Sequence, residues 1–354
     1  MSNRVDHILE TIQNATSSKI EFDKKAILTE YHKLEDNQSS IAIKVLSVVG
    51  GFLATIAFLG FLFLSVLQNS EIAWLITGLF FIGFSIVLNR KYEKLIIDTF
   101  SISAYAIGIF LLVFGLKELD VNENLIAVFT IFIALISLYL TQNYILAFVS
   151  ILVVNISLVS LLVFIHSSYN LIHLYNAIVL IALVYVFLFE AKIIHISAKL
   201  SKLYNPLRIS LVISFLFGLG FLRTRNFHGM QLDYIWHYAI VLFIAIIYLI
   251  SKILKLMHVT NKNHQIGSYV LSAIILALTA FSPSILGAIL LILLSFYVNY
   301  KFSFALGVIA LIYAVSQYYY DLNYTLLTKS ILLFTSGILF LALYLFTSKL
   351  AKND

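Results

Sequence analysis

The sequence predicts an all-α membrane protein, a polytopic bundle of about twelve transmembrane helices. Twelve apolar stretches follow one another between about Ile41 and Phe346, and Lys and Arg residues concentrate in alternate gaps between them. Hydrophobic residues make up 61% of the 354 residues and charged residues only 11%, whereas soluble domains carry about 25% charged residues. A soluble domain of this length cannot bury so much apolar surface, but a helical bundle can expose it to lipid.

Residues 1–40 form the only sizeable hydrophilic segment of the sequence, so no cleavable signal peptide is expected. Apolar residues recur at helical spacing in two places, at Val5, Ile8, Leu9 and Ile12 and at Ile27, Tyr31 and Leu34. This spacing predicts two short amphipathic helices on the cytoplasmic side, lying against the membrane or the bundle. A partner-binding module is the alternative interpretation of the same segment.

The bundle is predicted over residues 41–348, with a cytoplasmic tail at 349–354. In order, the spans cover about 44–67, 72–89, 95–116, 124–140, 143–165, 171–190, 206–222, 234–251, 267–281, 283–299, 302–319 and 327–348. About 20 helical residues cross the 30 Å hydrocarbon core, and several late spans are shorter than that. If the number of spans predicted within 141–166 or 265–300 is wrong by one, every later loop lies on the opposite side of the membrane from the one predicted.

The distribution of positive charge predicts the orientation. With the N-terminus in the cytoplasm, nineteen Lys and Arg residues fall on that side, and four fall on the other, namely Lys117, Arg223, Arg225 and Lys329. This asymmetry agrees with the positive-inside rule and predicts that both termini are cytoplasmic. It also accounts for the basic pI of about 9.2 without a nucleic-acid partner.

Several classes of chemistry have no support in the sequence. The chain contains no Cys, which excludes disulfides, thiolate catalysis and Cys-ligated metals. Its nine His residues include no pair at helical i, i+4 spacing, and no phosphate-binding, dinucleotide-binding or nucleophile motif occurs. No metal or cofactor is therefore predicted. An enzyme is the less favoured class, because no acid/base pair or nucleophile is clearly placed.

The centres of the predicted spans are nearly free of charge. Asp98 and Glu190 lie close to the cytoplasmic ends of their spans, where each can reach the interface or pair with a lysine, and Arg208 can extend to the same side. Asn155 alone occupies the centre of a span, which predicts a hydrogen bond between helices more than a ligand contact. The missing central carboxylate argues against proton or sodium coupling.

Polar and aromatic residues cluster instead in two segments of the predicted outer face, 223–233 and 318–330. The candidate ligand-binding residues are Arg223, Arg225, Asp321, Lys329, Tyr319 and Tyr320. In one interpretation, the Asp–Lys pair fixes a short loop and the tyrosines anchor the helix end in the interface. In the other, the cations receive a phosphate or carboxylate group, since the arginine fork suits such anions, and the tyrosines stack on a sugar or lipid headgroup.

The stretch Tyr-Tyr-Tyr-Asp-Leu-Asn-Tyr-Thr-Leu-Leu-Thr-Lys-Ser at 318–330, followed by Ser336 and Gly337, resembles the bacterial membrane family called domain of unknown function 4401. A polar N-terminal segment before a first span with Gly50, Gly51 and Gly60 also fits this family. The resemblance implies a multi-pass inner-membrane protein, sometimes associated with another polytopic domain and a small membrane-anchored partner. It implies no activity and no catalytic residues.

Two classes of function remain for a protein of the bacterial inner membrane. The first is a transporter, or a protein that handles envelope lipid or glycan, with an anionic ligand bound at the outer face. The second is a non-catalytic scaffold or assembly partner of another envelope protein. It would dock a membrane-anchored partner through the outer loops or through residues 1–40.

Overall fold

The computed structural model describes most of the predicted bundle. The residues described are 50–51, 53–62, 70–91, 95–141, 143–164, 170–223, 226–227, 230–231, 235–257, 261–279, 282–321, 325, 327–328, 330–331, 334–335, 337–338 and 341. The two predicted amphipathic helices of 1–40, the tail at 349–354 and most of the predicted span 327–348 lie outside them.

The described residues form an all-helical bundle with a single short hairpin. Its helices are α1 (Leu53–Leu62), α2 (Glu71–Lys91), α3 (Leu95–Glu118), α4 (Glu123–Leu140), α5 (Tyr144–Phe164), α6 (Asn170–Leu188), α7 (Glu190–Ile196), α8 (Ala198–Arg223), α9 (Ile235–Leu256), α10 (Lys262–Thr279), α11 (Pro283–Tyr297) and α12 (Lys301–Asp321). Between α8 and α9, strands β1 (Asn226–Phe227) and β2 (Met230–Gln231) pair antiparallel.

The predicted fold class is confirmed as an apolar helical bundle, and the number of twelve spans stays a prediction. Among the described residues, eight helices are long and apolar enough to cross a membrane, namely α2 to α6, α8, α9 and α12. Within the described residues, α1 and α11 are apolar helices of 10 and 15 residues. α10 begins with the polar run Lys-Asn-His-Gln. Eleven of the predicted spans nevertheless coincide with a described helix.

The largest correction to a predicted boundary concerns α8. Hydropathy predicts a span at 206–222, but the helix begins at Ala198 and contains Pro206 in its interior. The additional turns carry Lys199 and Lys202, so they are too polar to register as membrane sequence. The seven-residue helix α7 before it was not predicted as a separate element. Helix α7 and the first turns of α8 therefore add polar helical residues to one end of the apolar bundle.

Helix α8 lies at the centre of the main core. Buried side chains of α6, α8, α9 and α11 pack together there, including Phe187, Phe215, Leu242 and Leu290. The Tyr204 hydroxyl donates a hydrogen bond to the Val186 carbonyl oxygen at 3.0 Å, which joins the first turns of α8 to the end of α6. Asn176, near the start of α6, packs against Gly218, near the end of α8, so the two helices are antiparallel. We call the two ends of the bundle the Arg208 end and the Arg223 end, because Arg223 is the last residue of α8 and Arg208 lies in the half of α8 that begins at Ala198.

Candidate functional site

The structure describes part of the predicted outer cluster. Tyr319 and Tyr320 lie in the last turn of α12, next to its final residue Asp321, and their rings meet edge to face with centroids 5.7 Å apart. Tyr320 is exposed. Arg223 ends α8, whereas Arg225 and Lys329 lie outside the described residues. The convergence of these charged residues on one ligand stays a prediction.

A groove lies in the part of the bundle towards the Arg223 end. It lies between α5, α6 and α8, has a volume of about 220 Å³, and is lined by Leu152, Asn155, Ile156, Val159, Ile172, Tyr175, Asn176, Ser214, Phe217, Gly218 and Phe221. No lining residue carries a charge. Phe221, the last lining residue on α8, lies two positions before Arg223 in the sequence.

Polar groups sit among the apolar side chains of the groove. The Tyr175 hydroxyl donates to Asn155 Oδ1 at 2.8 Å, and Asn155 Nδ2 donates to the Ile151 carbonyl oxygen at 2.9 Å. The predicted role of Asn155 is thus confirmed, because its bond with Tyr175 joins α5 to α6. The sequence did not reveal the groove itself, since its three walls come from separate segments.

Close packing holds a second amide in the groove. Asn176 is only 2% exposed, and its side-chain oxygen occupies the space that a Cβ on Gly218 would need. The Ser214 hydroxyl is buried nearby and has no hydrogen-bond partner among the described residues. A ligand in the groove would therefore meet a mainly apolar wall with a few polar atoms, which is the usual lining of a small-molecule site.

The Arg208 end has a different arrangement, centred on a buried arginine. Arg208 is only 7% exposed; it lies 3.5 Å from Glu190 Oε2 and donates to Asn205 Oδ1 at 2.9 Å. Its guanidinium carbon lies 3.7 Å from the centre of the Tyr300 ring. The expectation that Arg208 extends to the interface is wrong, because α8 continues past it and Tyr300 covers it. Glu190 was expected to reach the interface or to pair with a lysine, but in the structure it contacts Arg208.

Asp98 also lies at the Arg208 end, and amide groups contact it. Asn143 Nδ2 donates to Asp98 Oδ1 at 2.7 Å, and Asn89 Nδ2 does so at 3.4 Å. These bonds tie together the end of α2, the start of α3 and the residue before α5. We interpret the Asp98 carboxylate as structural, because its hydrogen bonds join residues at the ends of neighbouring helices.

Among the described residues, no group of three His, Asp or Glu side chains is placed to hold a metal ion. No curated protein and no solved structure matches the chain. A family model described as Domain of unknown function (DUF4401) matches residues 41–350, which cover the whole predicted bundle. The resemblance noted in the sequence is confirmed, and the chain belongs to the DUF4401 family.

Proposed function

We propose that this protein is a multi-pass protein of the bacterial inner membrane that binds an anionic amphipathic molecule at its outer face. The ligand is an envelope lipid or a lipid-linked glycan, and the protein transports it or presents it to other envelope proteins. The observation that carries the proposal is the groove between α5, α6 and α8. It combines an apolar lining with buried amide and hydroxyl groups, and its last lining residue on α8, Phe221, comes two positions before Arg223 in the sequence.

The shape of the groove favours an acyl chain as the part of the ligand that it holds. Ile156 and Phe217 line the groove and are exposed on the surface of the bundle, so in a bilayer the groove opens towards lipid. An acyl chain could enter sideways without crossing a polar barrier. No charged residue lines the groove, which favours this ligand over an inorganic ion.

The headgroup would then lie beyond Phe221, in the predicted outer cluster. Arg223, Arg225 and Lys329 are proposed to bind its anionic group, because cations form strong hydrogen bonds with phosphate and carboxylate. Asp321 is proposed to orient Lys329. The exposed ring of Tyr320 and its neighbour Tyr319 suit a sugar or glycerol group at the interface.

The charge distribution supports placing this cluster outside. Arg90, Lys199 and Lys202 line a common recess at the Arg208 end, and Arg208 lies on the same part of α8. By the positive-inside rule this end is cytoplasmic, which makes the Arg223 end the outer one. We propose twelve spans from the twelve apolar segments of the sequence, and with this orientation an even number of spans places both termini in the cytoplasm.

Native mass spectrometry of the purified full chain tests the groove. We expect a co-purifying anionic lipid that is lost from Ile156→Trp, because the larger side chain fills the groove. Ile181→Trp is the matched control, since Ile181 is a similarly exposed residue of α6 that does not line the groove. Retention of the lipid by Ile156→Trp, or equal loss from both variants, would contradict the proposal.

The headgroup residues need separate variants. Lys329→Ala and Asp321→Ala should release the same lipid while the protein level in the membrane stays unchanged. If both variants retain it, the outer cluster is not the binding site. Chemical crosslinking in cells distinguishes the alternative function: a stoichiometric protein partner in the absence of any bound lipid would favour a scaffold.

A further inference from the structure

A second recess lies at the Arg208 end, on the opposite part of α8 from the groove. It has a volume of about 370 Å³ and lies where the end of α4 meets the start of α8, beside the end of α2. Its lining consists of Arg90, Tyr139, Leu140, Thr141, Ala198, Lys199, Lys202 and Leu203. Three of these eight residues are cations and none is acidic, so the recess has a strongly positive potential.

One of the cations is held in place by the protein. Lys199 Nζ donates to the carbonyl oxygen of Tyr139 at 2.7 Å and lies 3.9 Å from the centre of the same residue's ring. These contacts fix the ammonium group at the end of α4 and leave its remaining protons available. A ligand binding there would not need to order this long side chain, which lowers the entropic cost of binding.

The other two cations are available for a ligand. Arg90 and Lys202 are exposed, and within the described part of the chain no hydrogen bond or ion pair engages either of them. Ala198 is the first residue of α8 and also lines the recess. The positive end of the helix dipole therefore adds to the potential of the three side chains.

The chemistry of the lining identifies the class of ligand. Arginine and lysine side chains converging on one recess suit a phosphate group, which accepts several charge-assisted hydrogen bonds at once. Leu140 and Leu203 supply an apolar part of the lining, which suits the glycerol and first acyl carbons of a lipid. Basic pockets between transmembrane helices are known to bind phospholipid headgroups.

We propose that this recess is a binding site for a phosphate group, supplied by the headgroup of an anionic phospholipid. The site is separate from the groove and does not depend on the function proposed for it. Its occupant would bridge α2, α4 and α8, three helices whose ends meet here. Binding would therefore stabilise the Arg208 end of the bundle.

The test uses the full chain in nanodiscs of phosphatidylcholine with increasing fractions of phosphatidylglycerol. We expect phosphatidylglycerol to raise the thermal unfolding midpoint of the wild type, because it binds only the folded state. Arg90→Gln and Lys202→Gln should each weaken this apparent affinity about fivefold, the effect of about one lost cation–headgroup contact. Lys192→Gln is the control, since this exposed lysine of α7 lies outside the recess.

A parallel titration with inorganic phosphate in phosphatidylcholine nanodiscs distinguishes the source of the phosphate. No stabilisation by free phosphate, combined with stabilisation by phosphatidylglycerol, supports the lipid. Stabilisation by free phosphate that Arg90→Gln and Lys202→Gln abolish supports the phosphate site but overturns the lipid source. Equal weakening by Lys192→Gln, or no response to either ligand, overturns the site.

Discussion

Arg208 links three parts of the chain through one side chain. It belongs to α8, donates to Asn205 one turn earlier, lies near Glu190 of α7, and covers the ring of Tyr300, which precedes α12. The Glu190 side chain is 40% exposed and 3.5 Å away, so solvent weakens this ion pair. The Tyr300 ring is half-buried and lies 3.7 Å from the guanidinium carbon, so this cation–π contact should contribute more than the ion pair, while Asn205 is itself exposed.

We therefore expect Arg208→Ala to lower the free energy of unfolding by about 2 kcal/mol, from the lost cation–π contact and hydrogen bond. Glu190→Gln should lower it by less than about 0.5 kcal/mol. Reversible unfolding of the purified chain in mixed micelles with increasing SDS measures both values. An effect of Glu190→Gln as large as that of Arg208→Ala would show that the ion pair dominates.

Sequence reasoning succeeded for Asn155 and failed for Arg208 for a physical reason. A single amide at the centre of an apolar span has to find a partner within the bundle, so its role follows from its position, and Tyr175 supplies that partner. A cation near the end of a span can either extend to solvent or pack against an aromatic ring inside the bundle. Which one it does depends on Tyr300, a residue that is distant in the sequence and that no local pattern connects to Arg208.

Helices α2 and α3 form a hairpin in which two glycines allow the backbones to approach closely. A Cβ built on Gly108 would lie 2.8 Å from the carbonyl oxygen of Gly78 and 2.9 Å from the backbone nitrogen of Ile82. Because these are backbone atoms, a side chain at 108 would have to push the helices apart. The Ser85 hydroxyl also donates to the carbonyl oxygen of Ser101 at 2.7 Å, a contact between the same two helices.

Gly108→Ala should lower the free energy of unfolding by about 1–3 kcal/mol, the usual cost of overpacking. The matched control is Gly83→Ala, also on this hairpin, where a Cβ would meet nothing within 4 Å. That change should be neutral or stabilise by up to about 1 kcal/mol, because alanine favours the helix over glycine. The same SDS unfolding experiment compares them, and equal effects of the two variants would contradict the close approach.

At the level of elements, hydropathy predicted the apolar helices and missed the polar ones. It located eleven described helices, because each contains an apolar run. It missed the first turns of α8 and the whole of α7, since 190–205 contains Lys192, Lys199 and Lys202 and reads as a loop. These polar turns are helical in the structure. They supply Glu190 and Asn205, which contact Arg208, and four of the eight residues that line the basic recess.

For the whole molecule, a sequence pattern could predict only a candidate site whose residues lie close together in the chain. The outer cluster was visible as two short segments that break the orientation rule. The groove and the recess were not visible, because each combines residues from three helices that are far apart in the sequence. The assignment of these two sites to opposite sides of the membrane depends on one global property, the orientation of the bundle.

Cysteine accessibility in intact cells tests that orientation, and the chain is suited to it because it contains no native Cys. Glu118, at the end of α3, and Lys192, in α7, are both exposed. A membrane-impermeant maleimide should label Glu118→Cys in intact cells and Lys192→Cys only after permeabilisation. The reverse pattern would invert the bundle and move the groove to the cytoplasmic face. Labelling of both from outside would mean that the three candidate spans between them, α4, α5 and α6, do not all cross the membrane.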